Sequence, residues 1–125
     1  MNLHNACKEA RNRASDLMEE AGSIVRELVE ADRSRGLDAA FDRVARASGL
    51  TARRIRSYWH GAVSAGAVTA FEIEGLRAAQ AEHMRAEMAR CEHRLAVLRA
   101  RLGGASADHS SVAGEGMVHG SAAFA

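Results

Sequence analysis

Apolar residues recur at alternating spacings of four and three in the first part of the chain: Leu3, Cys7, Ala10, Ala14, Leu17, Ala21, Ile24 and Leu28. A stripe of this period lies on one face of an α-helix, so the pattern predicts a long first helix from residue 3 to about residue 34. Met18 and Val25 widen its second half, which can then touch more than one neighbour, while the Ala-rich first half permits close approach. Gly36, after Asp32-Arg33-Ser34-Arg35, is the expected C-terminal cap. A second stripe of the same period, Met84, Met88, Cys91, Leu95, Leu98 and Leu102, predicts a long last helix. Thr69, with Glu72 three residues on, makes a capping box that opens it. Phe71, Ile73 and Leu76 on its first turns are expected to pack against the preceding segment, and Gly75 is its one weak point before Leu102. Gly103-Gly104 is expected to end it. Residues 103–125, mostly Gly, Ser and Ala, predict a disordered tail.

Between the stripes, Phe41 to Tyr58 has the spacing that two short helices crossing at a tight turn require. Val44 and Ala45 face inward from the first, and the small Ala45 lets the second cross closely. Gly49 supplies a left-handed turn residue, Thr51 an N-cap, and Leu50, Ile55 and Tyr58 the filling between the helices. The predicted helices run from Leu37 to about Ala47 and from Ala52 to about Gly61. Trp59, adjacent to Tyr58, cannot share its face; it either covers the joint with the following helix or lies against a sugar-phosphate backbone, and packing is expected because it is the single Trp of a core short of aromatic volume. Four segments follow: 1–36 a pairing helix, 37–68 the two-helix core, 69–102 a coiled-coil-like helix and 103–125 the tail. The expected fold class is all-α.

Charge singles out the same segment. Residues 37–62 hold Arg43, Arg46, Arg53, Arg54 and Arg56 against Asp38 and Asp42, a local +3 in a chain of net charge +1. No acidic residue occurs between Thr51 and Thr69 to pair these arginines. Arg53, Arg56, Ser57 and His60 fall at spacings of three and four, giving the second helix one basic, polar face. Concentrated positive charge of this kind suits a nucleic-acid backbone.

The segment resembles the helix-turn-helix of repressor and Cro-like DNA-binding proteins, with Ala45, Gly49, Leu50, Ile55 and Tyr58 where that pattern wants small, turn and core residues. The chain as a whole is similar to small phage or prophage-type regulators. The resemblance implies that the second helix enters the major groove of double-stranded DNA. Thr51, Ala52, Arg53, Arg54, Arg56, Ser57 and His60 would then meet bases or phosphates, and Arg43 and Arg46 of the first helix phosphates.

Composition narrows the alternatives. At 125 residues, with no proline and 4% aromatic residues, the chain suits one helical domain with extensions and leaves little room for a catalytic one. No apolar run approaches the roughly 20 residues of a membrane span, and the first residues lack the order of a secretory signal, so a cytoplasmic protein is expected. Cys7 and Cys91 both fall on apolar stripes, which predicts buried, reduced thiols. His4 with Cys7, and Cys91 with His93, are too few to close a metal site. No phosphate loop, nucleophile elbow or paired-carboxylate site is visible, so no enzyme, metal, cofactor or small-molecule ligand is expected.

Two stripes need partners. Either the first and last helices pair within a protomer, or Leu17, Ile24, Leu28, Met84, Met88, Cys91, Leu95, Leu98 and Leu102 meet a second copy, in a homodimer or larger homo-oligomer. A parallel dimer of the last helix sets Glu87 near Glu92 and Arg94 near Arg99, all like charges. An antiparallel one matches Met84 with Leu102, Met88 with Leu98 and Cys91 with Leu95 and brings Glu87 to Arg101, but sets Glu92 against its own copy. The expected function is sequence-specific transcriptional regulation. The competing readings are a phage DNA-packaging subunit of small-terminase type or an architectural DNA-binding oligomer, and a helical protein-interaction module without DNA.

Overall fold

The structure, a computed structural model, describes residues 2–113, with side chains through residue 104. Among these residues all regular structure is helical: α1 (Leu3–Ala31), a 3-10 turn (Arg33–Arg35), α2 (Leu37–Ser48), α3 (Ala52–Trp59), a second 3-10 turn (Ala65–Ala67) and α4 (Ala70–Ala113). The all-α expectation therefore holds, with a helix-turn-helix between two long helices. None of the described helices is long and apolar enough to cross a membrane.

The chain divides into two compact units, one through Arg85 and one from Ala86. In the first unit the core is aliphatic apart from Phe41 and Tyr58. Ile24, Val25, Leu28 and Val29 of α1 lie under Phe41 and Val44 of α2, Ile55 and Tyr58 of α3, and Ile73, Leu76 and Ala79 of α4. Burying each large apolar side chain contributes about 1.5–3 kcal/mol. Arg77 of α4 grips Glu20 of α1 with two bonds, Nε to Oε2 at 2.6 Å and Nη2 to Oε1 at 2.7 Å. Those bonds hold the Glu20 carboxyl below its ordinary value. Gln80 donates to Glu27 of α1 at 2.9 Å.

The core thus draws on α1 and the start of α4, not on residues 37–68 alone. That corrects part of the oligomerisation set: Ile24 and Leu28 are buried inside the protomer and Leu17 packs against the same core. The widened half of the α1 stripe is consumed by α2 and α3. Helix α1 also ends three residues before the expected boundary, and Gly36 (φ +100°) joins the 3-10 turn to α2 instead of capping α1.

The α2–α3 turn matches its expected form. Gly49 sits in the left-handed region at φ +80° and its N–H reaches the Ala45 carbonyl at 2.9 Å. The Thr51 hydroxyl accepts the Arg54 backbone N–H at 3.1 Å, the N-cap bond that satisfies one of the four free donors of a helix start. Buried Ser48, which the pattern did not single out, donates its hydroxyl to Val44 O at 2.8 Å. Gly75 of α4 crosses at this point. A Cβ built on it would lie 2.2 Å from the Ser48 carbonyl oxygen, so the apparent weak point in α4 is a close crossing that has no room for a side chain.

Three further expectations change. Phe71 stays 67% exposed, although its ring tip lies near the Gly49 turn. Cys7 and Cys91 are exposed rather than buried, because the outer parts of both stripes carry no covering layer. Helix α4 continues through Gly103-Gly104 to Ala113; two helical glycines cost only about 1 kcal/mol each. Residues 114–125 of the expected tail lie outside the described residues.

In the second unit, every described side chain from residue 87 to 104 is exposed. Met88, Leu95, Leu98 and Leu102 form a stripe there, with Leu102 70% exposed. Arg90 pairs with Glu87 one turn away.

Candidate nucleic-acid interface

Helix α3 is only eight residues long, and its two faces are divided cleanly. Ile55 and Tyr58 are buried, whereas Arg53, Arg56 and His60 are exposed and Ser57 is half-buried. This amphipathic division follows from the i, i+3, i+4 geometry of a helix. Ser57 donates its hydroxyl to the Arg53 carbonyl at 3.1 Å. Trp59 packs within the protomer, but its ring partner is Phe41 of the preceding helix α2, edge-on with ring centroids 6.2 Å apart, and the Arg33 guanidinium lies 5.8 Å from its ring centroid.

Arg54 leaves the set. Its Nε donates to Glu72 Oε2 at 2.8 Å, and its Nη2 to Glu72 Oε1 at 3.0 Å and to the Ala67 carbonyl at 2.8 Å. The guanidinium stacks 5.2 Å from the Tyr58 ring centroid. Tyr58 in turn donates its hydroxyl to Glu72 Oε1 at 2.7 Å. Burial, and then the bond to Glu72, pushes the Tyr58 phenol up to about 12. Burial works to raise the Glu72 carboxyl too, but the bonds from Arg54 and Tyr58 outweigh it and hold the group below its ordinary value. Arg54 therefore ties α3 to α4 instead of facing a ligand. Ala52 is likewise partly buried against the core, and the Thr51 oxygen is used as the cap.

Two of the other arginines find acids from outside α3. Arg56 Nη2 lies 3.2 Å from Asp38 Oδ1, with its guanidinium over the Phe41 ring at 5.4 Å. Arg43 Nη1 lies 3.3 Å from Asp32 Oδ1. Asp38 is 89% exposed, and ion pairs this open contribute about 0–1 kcal/mol, so a ligand can exchange with them. Arg46 and Arg53 are exposed and make no ion pair among the described residues. The exposed arginines of α2 and α3 are thus Arg43, Arg46, Arg53 and Arg56, with Arg33 and Arg35 of the adjoining 3-10 turn beside them. Sequence spacing could not reveal Glu72 or Asp38 as partners, since each lies 18 positions from its arginine. What it did show was the local role of Glu72 as a capping residue; Asp38 entered only as a charge.

Among the described residues no group of three or more His, Cys, Asp or Glu side chains is placed to hold a metal ion. No protein-family model, curated protein or solved structure matches this chain.

Proposed function

We propose that the chain is a sequence-specific DNA-binding regulator that acts as a homodimer, with α3 lying in the major groove. The observation that carries this reading is the outer face of α3. Its guanidiniums at Arg53 and Arg56, with Ser57 and His60 beside them, stand on a helix whose inner face is locked to α2 and α4. Arginine can grip guanine O6 and N7 with both arms, and a rigid platform keeps that grip in register. Arg43 and Arg46 supply phosphate contacts.

Replacing Arg56 with Ala is expected to weaken binding to a selected operator by about 1–3 kcal/mol, with a much smaller loss on random duplex. Fluorescence anisotropy on both duplexes across a salt series reads the difference. Equal losses on the two would remove Arg56 from base reading.

One copy of α3 makes few contacts. A dimer presenting two copies to half-sites about 34 Å apart roughly doubles them. The exposed stripe at Met88, Leu95, Leu98 and Leu102 supports pairing with a second copy. Changing Leu95 and Leu98 to Asp sets unpaired charges in that seam and is expected to yield a folded monomer with weakened binding to a two-half-site operator. Light scattering with anisotropy tests this, and a folded dimer of undiminished affinity would remove the stripe as the assembly surface. A second reading, a DNA-packaging or architectural oligomer, draws on the additional exposed apolar position Leu3 in α1. A ring-sized mass in the same experiment would favour it.

A further inference from the structure

The first 3-10 turn and the outer face of α2 enclose a shallow recess of about 100 Å³, lined by Asp32, Arg35, Ala39, Arg43 and Arg46. That volume is several times what a single water needs, so the recess has room for an anion of phosphate size. Ala39, Arg43 and Arg46 follow one another at spacings of four and three and therefore share one face of α2. The small Ala39 leaves the floor open. Three arginines and one aspartate line it, a local charge of +2.

The single internal pair is a loose one. Arg43 Nη1 and Asp32 Oδ1 are 3.3 Å apart, against about 2.7–2.9 Å for a strong charge-assisted bond, and both side chains remain about a third to a half exposed. Arg35 and Arg46 have no ion pair among the described residues. We propose that this recess is a subsite for a backbone phosphate of double-stranded DNA, in which Asp32 is a resident counter-ion that the phosphate displaces. Arg35, which lies outside both motif helices, is then one of its three donors. The assignment rests on the DNA-binding reading above for its source of phosphate, and on the recess itself for its chemistry. Its consequence is a built-in competition: the Asp32 carboxylate lowers affinity for any duplex, whatever its sequence.

Two measurements on the full chain test it. In the first, inorganic phosphate is titrated while the arginine side-chain Nε–H signals are followed by NMR. Saturable shifts are expected at Arg35, Arg43 and Arg46 with smaller ones at Arg53, and Arg35→Ala should abolish saturation at Arg43. In the second, duplex affinity is measured against salt. Arg35→Ala should weaken binding to specific and random duplex alike, by about three- to tenfold at low salt, and flatten the salt slope by about one unit. Asp32→Asn should strengthen binding to both by roughly two- to fivefold, the range expected on releasing an exposed ion pair. If duplex binds but neither substitution changes its affinity, the subsite is overturned while the DNA reading stands. If phosphate saturates the recess and no duplex binds, the site takes a free phosphate, and both the DNA reading and the backbone assignment fail. Absence of saturable shifts with phosphate and with duplex alike overturns the recess as an anion site.

Discussion

Replacing Gly75 with alanine is expected to lower the unfolding free energy by about 3 kcal/mol, the upper end of the usual cost of overpacking. In an unpacked helix the same change stabilises by roughly 0.5–1 kcal/mol, because alanine loses less conformational freedom than glycine. Here the sign reverses. The new methyl would stand 2.2 Å from the Ser48 carbonyl oxygen, and a backbone atom cannot rotate aside as a side chain can. Ser48 is itself pinned, its hydroxyl bonded to Val44 O and near the Leu50 N–H. Helix α4 must therefore move, carrying Ile73 and Leu76 away from the core they fill. Gly103→Ala is the internal control, since a Cβ there meets nothing within 4 Å; it should leave stability unchanged or slightly raised. Urea unfolding of the two variants reads the contrast, and a Gly75→Ala protein as stable as the parent would contradict the close crossing.

Glu72→Gln is expected to cost about 2–3 kcal/mol. The amide keeps the volume but removes the charge that faces Arg54, and a partly buried ion left without its partner is the expensive case. The Glu72 side chain is 15% exposed and that of Arg54 30%, so solvent screens the pair only in part. The pH dependence has a defined sign. Glu72 has a lower value in the folded chain than its ordinary 4.5, so its contribution is present above that value and is lost as pH falls through the folded one. Tyr58 is raised from 10.0 to about 12, so its contribution is full below 10 and is lost as pH rises towards 12. Denaturant midpoints across this range should form a plateau that falls at both ends. In Glu72→Gln the acid-side fall should flatten. Identical acid limbs in the two proteins would assign that fall to other carboxylates.

Both residues carry little signal in the one-dimensional pattern. Gly75 reads as a flaw in a helix and Glu72 as half of a capping box. The Thr69 hydroxyl does accept the Glu72 N–H at 3.1 Å, but the carboxylate spends its main bonds on Arg54 and Tyr58. Neither partner is a local neighbour, so no periodicity could point to it. The candidate DNA-reading face was more legible, because Arg53, Arg56, Ser57 and His60 are set by helical spacing alone once Ile55 and Tyr58 are turned inward. Arg54 shows where that reasoning stops: its residue type suited a ligand contact, and only the position of α4 turned it into a strut.

The sequence by itself determined what depends on short-range geometry. The period of apolar residues set four helices, Gly49 and Thr51 set the turn between α2 and α3, and the arginine spacing set a basic outer face, each through contacts within a few residues along the chain. Tertiary structure alone decided which apolar stripes are used up and which charges are neutralised. Ile24 and Leu28 belong to a stripe of the same alternating four-three period as that of Leu95 and Leu98, yet the first pair is buried in the core with residues of α2 and α3 and the second is exposed. Burial and pairing depend on the surfaces brought against a residue, and those come from segments far away in the chain.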